Sequence, residues 1–177
     1  MKIEEYNHSH QNGVNSLFEY VYDKKVIPEF FTWRYYYFGK PLRYVMINDD
    51  NSIIGHYVIH PIPFKILNNE EQIQFSMTVM THPKFRNMGV FRKLANFIYD
   101  KASNLDQKFV MGFPNTTSSE IHFKKLNWIN FGNPIEYTKK IVNTNSKLNI
   151  DYNIVKIEDF GNEIDFIWKK YGQKYDL

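Results

Sequence analysis

Arg86 and Gly89 stand three residues apart where a β-branched, apolar run gives way to a helical one, and such a junction suits an anion. Amides at the start of a helix have no intrahelical partner, and the helix dipole places about half a positive charge there. Gly89 lets the backbone approach a ligand closely, while Arg86 adds charge or orders the loop. An ordinary helix-entry turn uses the same two residue types, so the spacing needs its context. Proton transfer has its own candidates in His56, His60 and His82, since imidazole titrates near neutral pH. His56 and His60 share the parity of one strand, and Ser76 or Thr78 can orient a water. A strand histidine also serves as a hydrogen-bonded structural residue. The chain has no cysteine, which excludes a disulfide framework, a thiolate metal site and a thiol nucleophile; no metal is expected.

The 177 residues fit one domain with a core of its own, and 43% hydrophobic with 18% aromatic residues describe a chain that folds. No apolar run approaches the roughly 20 residues that cross a bilayer, and Met1 to Glu5 lack the basic and apolar regions of a signal peptide. The expectation is a cytoplasmic protein without a membrane partner. The formal charge of +3 is spread along the chain, with short basic pairs at Lys139-Lys140 and Lys169-Lys170. Basic residues are not gathered beside the aromatic run, so nucleic acid is not implied. A polyanionic ligand is compatible, because the local field of a cleft outweighs net charge.

Several elements must position these groups. Ser9, then Val14, Leu17, Phe18 and Val21, predict a capped helix over 9–23. Pro28 opens a second, strongly aromatic helix from Phe30 to Phe38, which Gly39-Lys40-Pro41 ends. Strands are predicted over 43–47, 52–66 and 71–81, joined by turns at 48–51 and 67–70 into an antiparallel meander. His82-Pro83 breaks the last of them, and Val90, Leu94, Phe97 and Ile98 predict a helix to about Ala102. A short strand over 108–111, a break at Gly112 to Asn115 and a helix over 117–126 capped by Thr or Ser follow. Strands over 134–142 and 152–157 and a helix over 160–171 complete the reading.

In this setting Val79 to Leu94 resembles the coenzyme A pyrophosphate loop of the GNAT superfamily: Arg or Gln, two residues, Gly, one residue, then Gly or Ala. Arg86 and Gly89 match, whereas Phe91 departs at the second small position. Val79, Pro83, Phe85 and Leu94 occupy the family's strand residue, proline, aromatic and helix leucine. Gly112-Phe113-Pro114-Asn115 follows the next strand, and Phe123-Lys124-Lys125-Leu126-Asn127-Trp128 resembles a family helix ending Tyr-x-Lys-Leu-Gly-Phe. The resemblance covers about residues 1–142. It includes a subgroup associated with surface-polysaccharide genes, in which Phe-Pro-Asn is followed by Ser; Ser118 and Ser119 stand near that place.

The resemblance implies an α/β (α+β) fold, the GNAT acyl-CoA N-acyltransferase fold, whose mixed central sheet has an antiparallel N-terminal meander flanked by helices. Residues 143–177 would then be a C-terminal extension, either a lid or packing element or the start of a second unit. It further implies that Met77, Thr78, Val79, Met80 and Thr81 offer an edge to the pantetheine arm of acetyl-coenzyme A. Amides of Arg86, Asn87, Met88, Gly89, Val90 and Phe91 would hold the pyrophosphate, with Asn115 near the pantetheine or in an Asx turn. The implied reaction moves an acetyl group directly to a small amine, an amino sugar being one candidate, and needs orientation and proton transfer but no nucleophilic side chain. Phe123 takes the place of the family's acidic Tyr. Ser118, Ser119 or His122 can substitute, water can protonate a thiolate of pKa about 8.5, or the domain can be a noncatalytic module that binds coenzyme A or a protein. The aromatics from Phe30 to Phe38 serve as acceptor wall or as core, and a homodimer is compatible with the chain.

Overall fold

The computed structural model describes residues 1–27, 29–36, 39–66, 69–105, 109–132, 138, 156 and 161–171. Contacts divide the chain into two units, Met1–Asn130 and Phe131–Leu177. Apart from Thr138 and Lys156, the strands expected over 134–142 and 152–157 lie outside the described residues, as do Tyr37 and Phe38.

Leu42–Ile47 (β2), with Arg43 its only charged residue, is apolar on both faces and is buried along almost its whole length. That pattern belongs to a central strand covered on two sides. Ile53–Ile66 (β3) pairs with it antiparallel, and Asn69–Thr81 (β4) pairs antiparallel with β3, giving the expected meander. An unexpected strand, Lys2–Glu5 (β1), closes the other side of β2. Its charged residues hide it from a search for apolar alternation but suit a sheet edge. Val110–Met111 (β5) runs parallel to β4 through only two residue pairs, Gln74 with Val110 and Phe75 with Met111. The sheet order is β1-β2-β3-β4-β5.

Strand alternation sorts the core into two layers. On one face Tyr44, Met46, Ile54, Tyr57 and Ile59 meet Val90, Leu94, Ala95, Ile98 and Ala102 of Val90–Ser103 (α3). The helix lies so close that a Cβ on Gly55 would stand 2.6 Å from Val90 Cγ1 and 2.7 Å from Leu94 Cδ1. On the other face Val45, Ile47, Ile53, Val58 and Met80 meet Val14 and Leu17 of Gln11–Tyr22 (α1), and Phe31 and Tyr35 of Phe30–Tyr36 (α2). Asn7, rather than Ser9, caps the 3-10 turn His8–His10 that leads into α1.

Asn115, rather than a Thr or Ser, caps Thr116–Lys125 (α4) by accepting from the Ser118 amide at 2.9 Å. In the second unit the expected last helix spans Asn162–Tyr171 (α5). Among the described residues no helix is long and apolar enough to cross a membrane.

One irregularity of the sheet bears on function. The β3–β4 register jumps from His56 opposite Met80 to Val58 opposite Met77, so Thr78 and Val79 together face Tyr57. Thr78 adopts φ 49°. This is a β-bulge carried by a β-branched residue in the left-handed region, which few such residues enter.

Candidate active site

After its two rungs β5 leaves β4. Gly112 follows the last rung and still passes close to β4, where a Cβ would meet Ser76 Cβ at 3.2 Å and Trp128 Cη2 at 3.3 Å. From Met77 to Thr81 the edge of β4 therefore has β3 on one side and, among the described residues, no strand on the other. The gap opens into a cleft of about 1110 Å³, walled by β4, by residues 85–93 and by Gly112 to Asn115 with α4. Met77, Thr78, Val79 and Thr81 line it, as do Arg86, Asn87, Met88, Gly89, Val90, Phe91 and Asn115. Met80 is the exception within the expected edge: its side chain is core, 1% exposed.

At one end the chain builds an anion cradle from backbone. Pro83–Phe85 forms a 3-10 turn that the His82 ring caps, Nδ1 accepting from the Lys84 amide at 3.2 Å. Asn87 and Gly89 take left-handed φ values of 64° and 77°. The first α3 bond runs from the Lys93 amide to the Gly89 carbonyl at 2.9 Å. The amides of Val90, Phe91 and Arg92 thus precede the helical ladder, and Gly89 supplies no side-chain cap.

A Cβ at Gly89 would have no heavy atom within 4 Å, so the space before these amides is open. Arg86, Arg92, Lys93 and Lys125 line the cleft against one acid, Glu120, which Lys124 already pairs at 2.9 Å. Phe91, the departure from the usual loop, turns its ring onto Tyr57 and His122 at centroid distances of 5.8 and 5.1 Å. Its bulk packs against protein while its amide stays at the helix start. Donors, space and charge fit a pyrophosphate.

The proposed proton-transfer residues separate sharply. His56 is fully buried and accepts at Nε2 from Arg43 Nε at 2.9 Å, while Nδ1–H donates to the Thr78 carbonyl at 3.0 Å. Burial, then the Arg43 guanidinium, push its pKa down to about 3, and both nitrogens are engaged; it is not placed to be a base. His60 is buried on the same strand and lies outside the cleft lining. His82 caps its turn and packs on Tyr20 and Phe85, likewise outside the lining. Ser119 donates to the Thr116 carbonyl at 3.0 Å and is not a lining residue.

Ser118 and His122 do line the cleft, one helical turn apart. His122 Nδ1–H donates to the Ser118 carbonyl at 2.8 Å, which leaves Nε2 as the basic nitrogen. Burial holds its pKa below the usual histidine value, so the ring is neutral at pH 7. Phe123, at the resemblance's acid position, is 37% exposed and is not part of the lining.

The buried imidazoles also set a pH dependence of folding. The unfolded chain protonates His56 near its ordinary value of 6.5, whereas the fold delays this to about 3. Between those values the unfolded state binds more protons, so stability falls as pH falls through the window, by about 1.4 kcal/mol per unit well below 6.5. Burial lowers His60 and His122 as well, which adds to the slope. Thermal melts from pH 7 to 4.5 should show the wild type losing about 2 kcal/mol more than His56→Gln. Parallel curves would contradict this account.

Apart from Ser76, already a candidate for orienting a water, several contributors escaped sequence reasoning. Val21 and Tyr22, at the end of α1, line the cleft. Ser76 Oγ donates to Tyr57 Oη at 2.9 Å, Tyr57 Oη lies 2.6 Å from Tyr99 Oη, and Trp128 Nε1 donates to Tyr99 Oη at 3.2 Å. This chain stiffens the cleft beneath Ser76, and burial keeps both phenols protonated. Arg43 had a readable signal, since an arginine inside an apolar strand must find a partner.

Comparison with known proteins agrees with this geometry. The sequence profile described as an acetyltransferase (GNAT) domain matches residues 2–128. No curated protein matches the chain by sequence. Among solved structures, a Trypanosoma brucei acetyltransferase superposes with TM-score 0.62 at 11% identity, over 78% of this chain and 99% of that one. The aminoglycoside 6'-N-acetyltransferase AAC(6')-Ih of Acinetobacter baumannii gives 0.63 at 12% identity, over 79% and 98%. AAC(6')-Iy, solved with a bisubstrate analog of coenzyme A and acetylneamine, gives 0.64 at 16% identity, over 79% and 98%. Such identities establish shared fold alone; with the profile covering most of the sequence, the chain belongs to the GNAT acetyltransferase family.

Proposed function

We propose that the protein is a cytoplasmic, acetyl-coenzyme A-dependent N-acetyltransferase acting on a small amine, with an amino sugar as the favoured acceptor. The observation that carries this reading is the run of uncapped amides at Val90, Phe91 and Arg92, opening into a cation-lined cleft beside a strand edge that is unpaired among the described residues. Bound there, acetyl-coenzyme A supplies an acetyl thioester; the acetyl group passes to the amine nitrogen, the amine loses a proton and the thiol is released. Thr81 to Thr78 spans about 10 Å of strand, so an arm anchored at the cradle can run back along β4 toward the bulge.

His122 Nε2 is a lining nitrogen able to take a proton at neutral pH, and the Ser118 carbonyl fixes its tautomer, whereas the Glu120 carboxylate is paired with Lys124. The amino-sugar preference rests on Phe113-Pro114-Asn115, on Tyr22 in the wall and on the amine acceptors of the aminoglycoside enzymes of like fold. The aromatic run divides: Phe31 and Tyr35 are core, whereas Trp33 and Tyr36 are exposed on α2.

Calorimetric titration with acetyl-coenzyme A, followed by thiol release over a panel of amines and amino sugars, tests the reading; absence of cofactor binding would defeat it. Position 123 gives a sharper test. Because Phe123 lies outside the lining, Phe123→Tyr should leave kcat within about twofold, while His122→Phe should lower it by about 10²-fold or more, the worth of a positioned general base. A large gain from Phe123→Tyr would return the acid role to that position. The noncatalytic alternative drew on the missing hydroxyl at 123 and on the extension after residue 142; the position of Phe123 outside the lining weakens the first motive.

A further inference from the structure

The polar cluster beneath α2 takes no part in the chemistry above, yet it converges on the cleft. Arg43 is 4% exposed, and among the described residues no carboxylate pairs with it. Its guanidinium instead lies over aromatic rings, with Cζ 3.3 Å from the Tyr6 centroid, 4.8 Å from Tyr35 and 5.2 Å from Phe31. A buried cation held by π faces keeps its N–H donors for a neutral acceptor, and Nε finds His56 Nε2 at 2.9 Å. That bond fixes the tautomer, because the other ring nitrogen must then carry the proton. It donates to the Thr78 carbonyl at 3.0 Å. From the opposite side Arg34 Nε donates to Thr78 Oγ1, also at 3.0 Å. Thr78 is the residue at φ 49° in the bulge.

A threonine does not hold such a conformation by itself; the surroundings must over-determine it. Released, it would return to extended backbone, restore the ladder beside Tyr57 and reshape the edge from Met77 to Val79. We propose that Arg43 and His56 are positioning residues whose hydrogen-bond chain locks the Thr78 peptide in its bulge and so sets the edge along which the acetyl-bearing arm is aligned. This rests on the reading of the cleft as a coenzyme A site. Among the described residues the charged and titratable groups facing His56 and Thr78 are Arg43, Arg34 and Tyr35, and none is a carboxylic acid.

Two substitutions separate the role from general stability. His56→Gln keeps an oxygen to accept from Arg43 and an N–H to donate to Thr78, whereas His56→Leu removes both at similar volume. For His56→Leu, kcat should fall about 10- to 100-fold by misalignment, while calorimetric affinity for coenzyme A changes less than about threefold because the backbone cradle is intact. Hydrogen exchange at the Thr78 and Val79 amides should quicken in the same variant. His56→Gln should restore kcat and slow exchange, with the shape of the pH profile unchanged. A folded His56→Leu with wild-type kcat and exchange overturns the proposal. So does His56→Gln as inactive as Leu with one limb of the pH profile lost, which would make His56 a base. If Leu yields no folded protein, His56→Asn, too short to span both partners, takes its place. Loss of coenzyme A binding by the wild type would sink the cleft reading, whereas the exchange result still decides whether His56 holds the bulge.

Discussion

Gly89→Val should raise the dissociation constant for acetyl-coenzyme A by roughly 30- to 1000-fold, the loss of one or two charge-assisted bonds from amide to phosphate. Gly89 sits at φ 77°, so any β-branched residue there is strained by about 1–2 kcal/mol. No neighbour would clash with the new Cβ, so the core is untouched and the melting temperature should drop by only a few degrees. Its bulk would instead stand in the open space before the helix start. Calorimetry and thermal melts on one preparation decide the matter, with Gly89→Asn as a control because asparagine tolerates this φ. Affinity and stability lost in equal measure would mean that the cradle has been misplaced.

The second large effect belongs to Gly55, which is buried under α3 and is not among the residues that line the cleft. Here the added atoms have nowhere to go: Val90 and Leu94 stand 2.6 and 2.7 Å from the position of a Cβ. Gly55→Val forces α3 off the sheet, and overpacking of this kind costs about 3 kcal/mol or more. At this chain length that lowers the melting temperature by about 10 °C. Since α3 carries the cradle at its first turn, cofactor affinity should fall as well. Gly55→Ala should show a smaller version of both losses, and adding Val90→Ala should recover part of them in a double-mutant cycle. If Gly55→Val melted like the wild type, the helix could not be packed as described.

Much of this architecture was legible because local pattern and tertiary demand agree. The meander, the aromatic second helix and α3 each announce themselves by periodicity, and Asn48 to Asn51 marks its turn. The short edge strand β1 was not legible, because Lys2, Glu4 and Glu5 give no alternation and pairing with β2 alone makes it a strand. Asn115 was expected to serve the ligand or an Asx turn, and its oxygen caps α4.

Among the candidate catalytic residues, parity along a strand placed His56 and His60 together but said nothing of depth, and depth decides protonation. The phase of α4 was equally hidden: one residue, or about 100° of helix, separates His122 in the cleft from Phe123 outside it. The Thr78 bulge had no sequence signature, since threonine is a residue that local propensity keeps extended.

The recognition surface proposed around Val90 to Arg92 is made of peptide groups that every amino acid except proline supplies. Genetic drift can therefore rewrite its side chains while the chemistry it presents to phosphate stays constant, provided the chain keeps its path. A loop of this sort keeps few side-chain marks, here Arg86 and Gly89, and proteins at 11 to 16% identity can still share one fold.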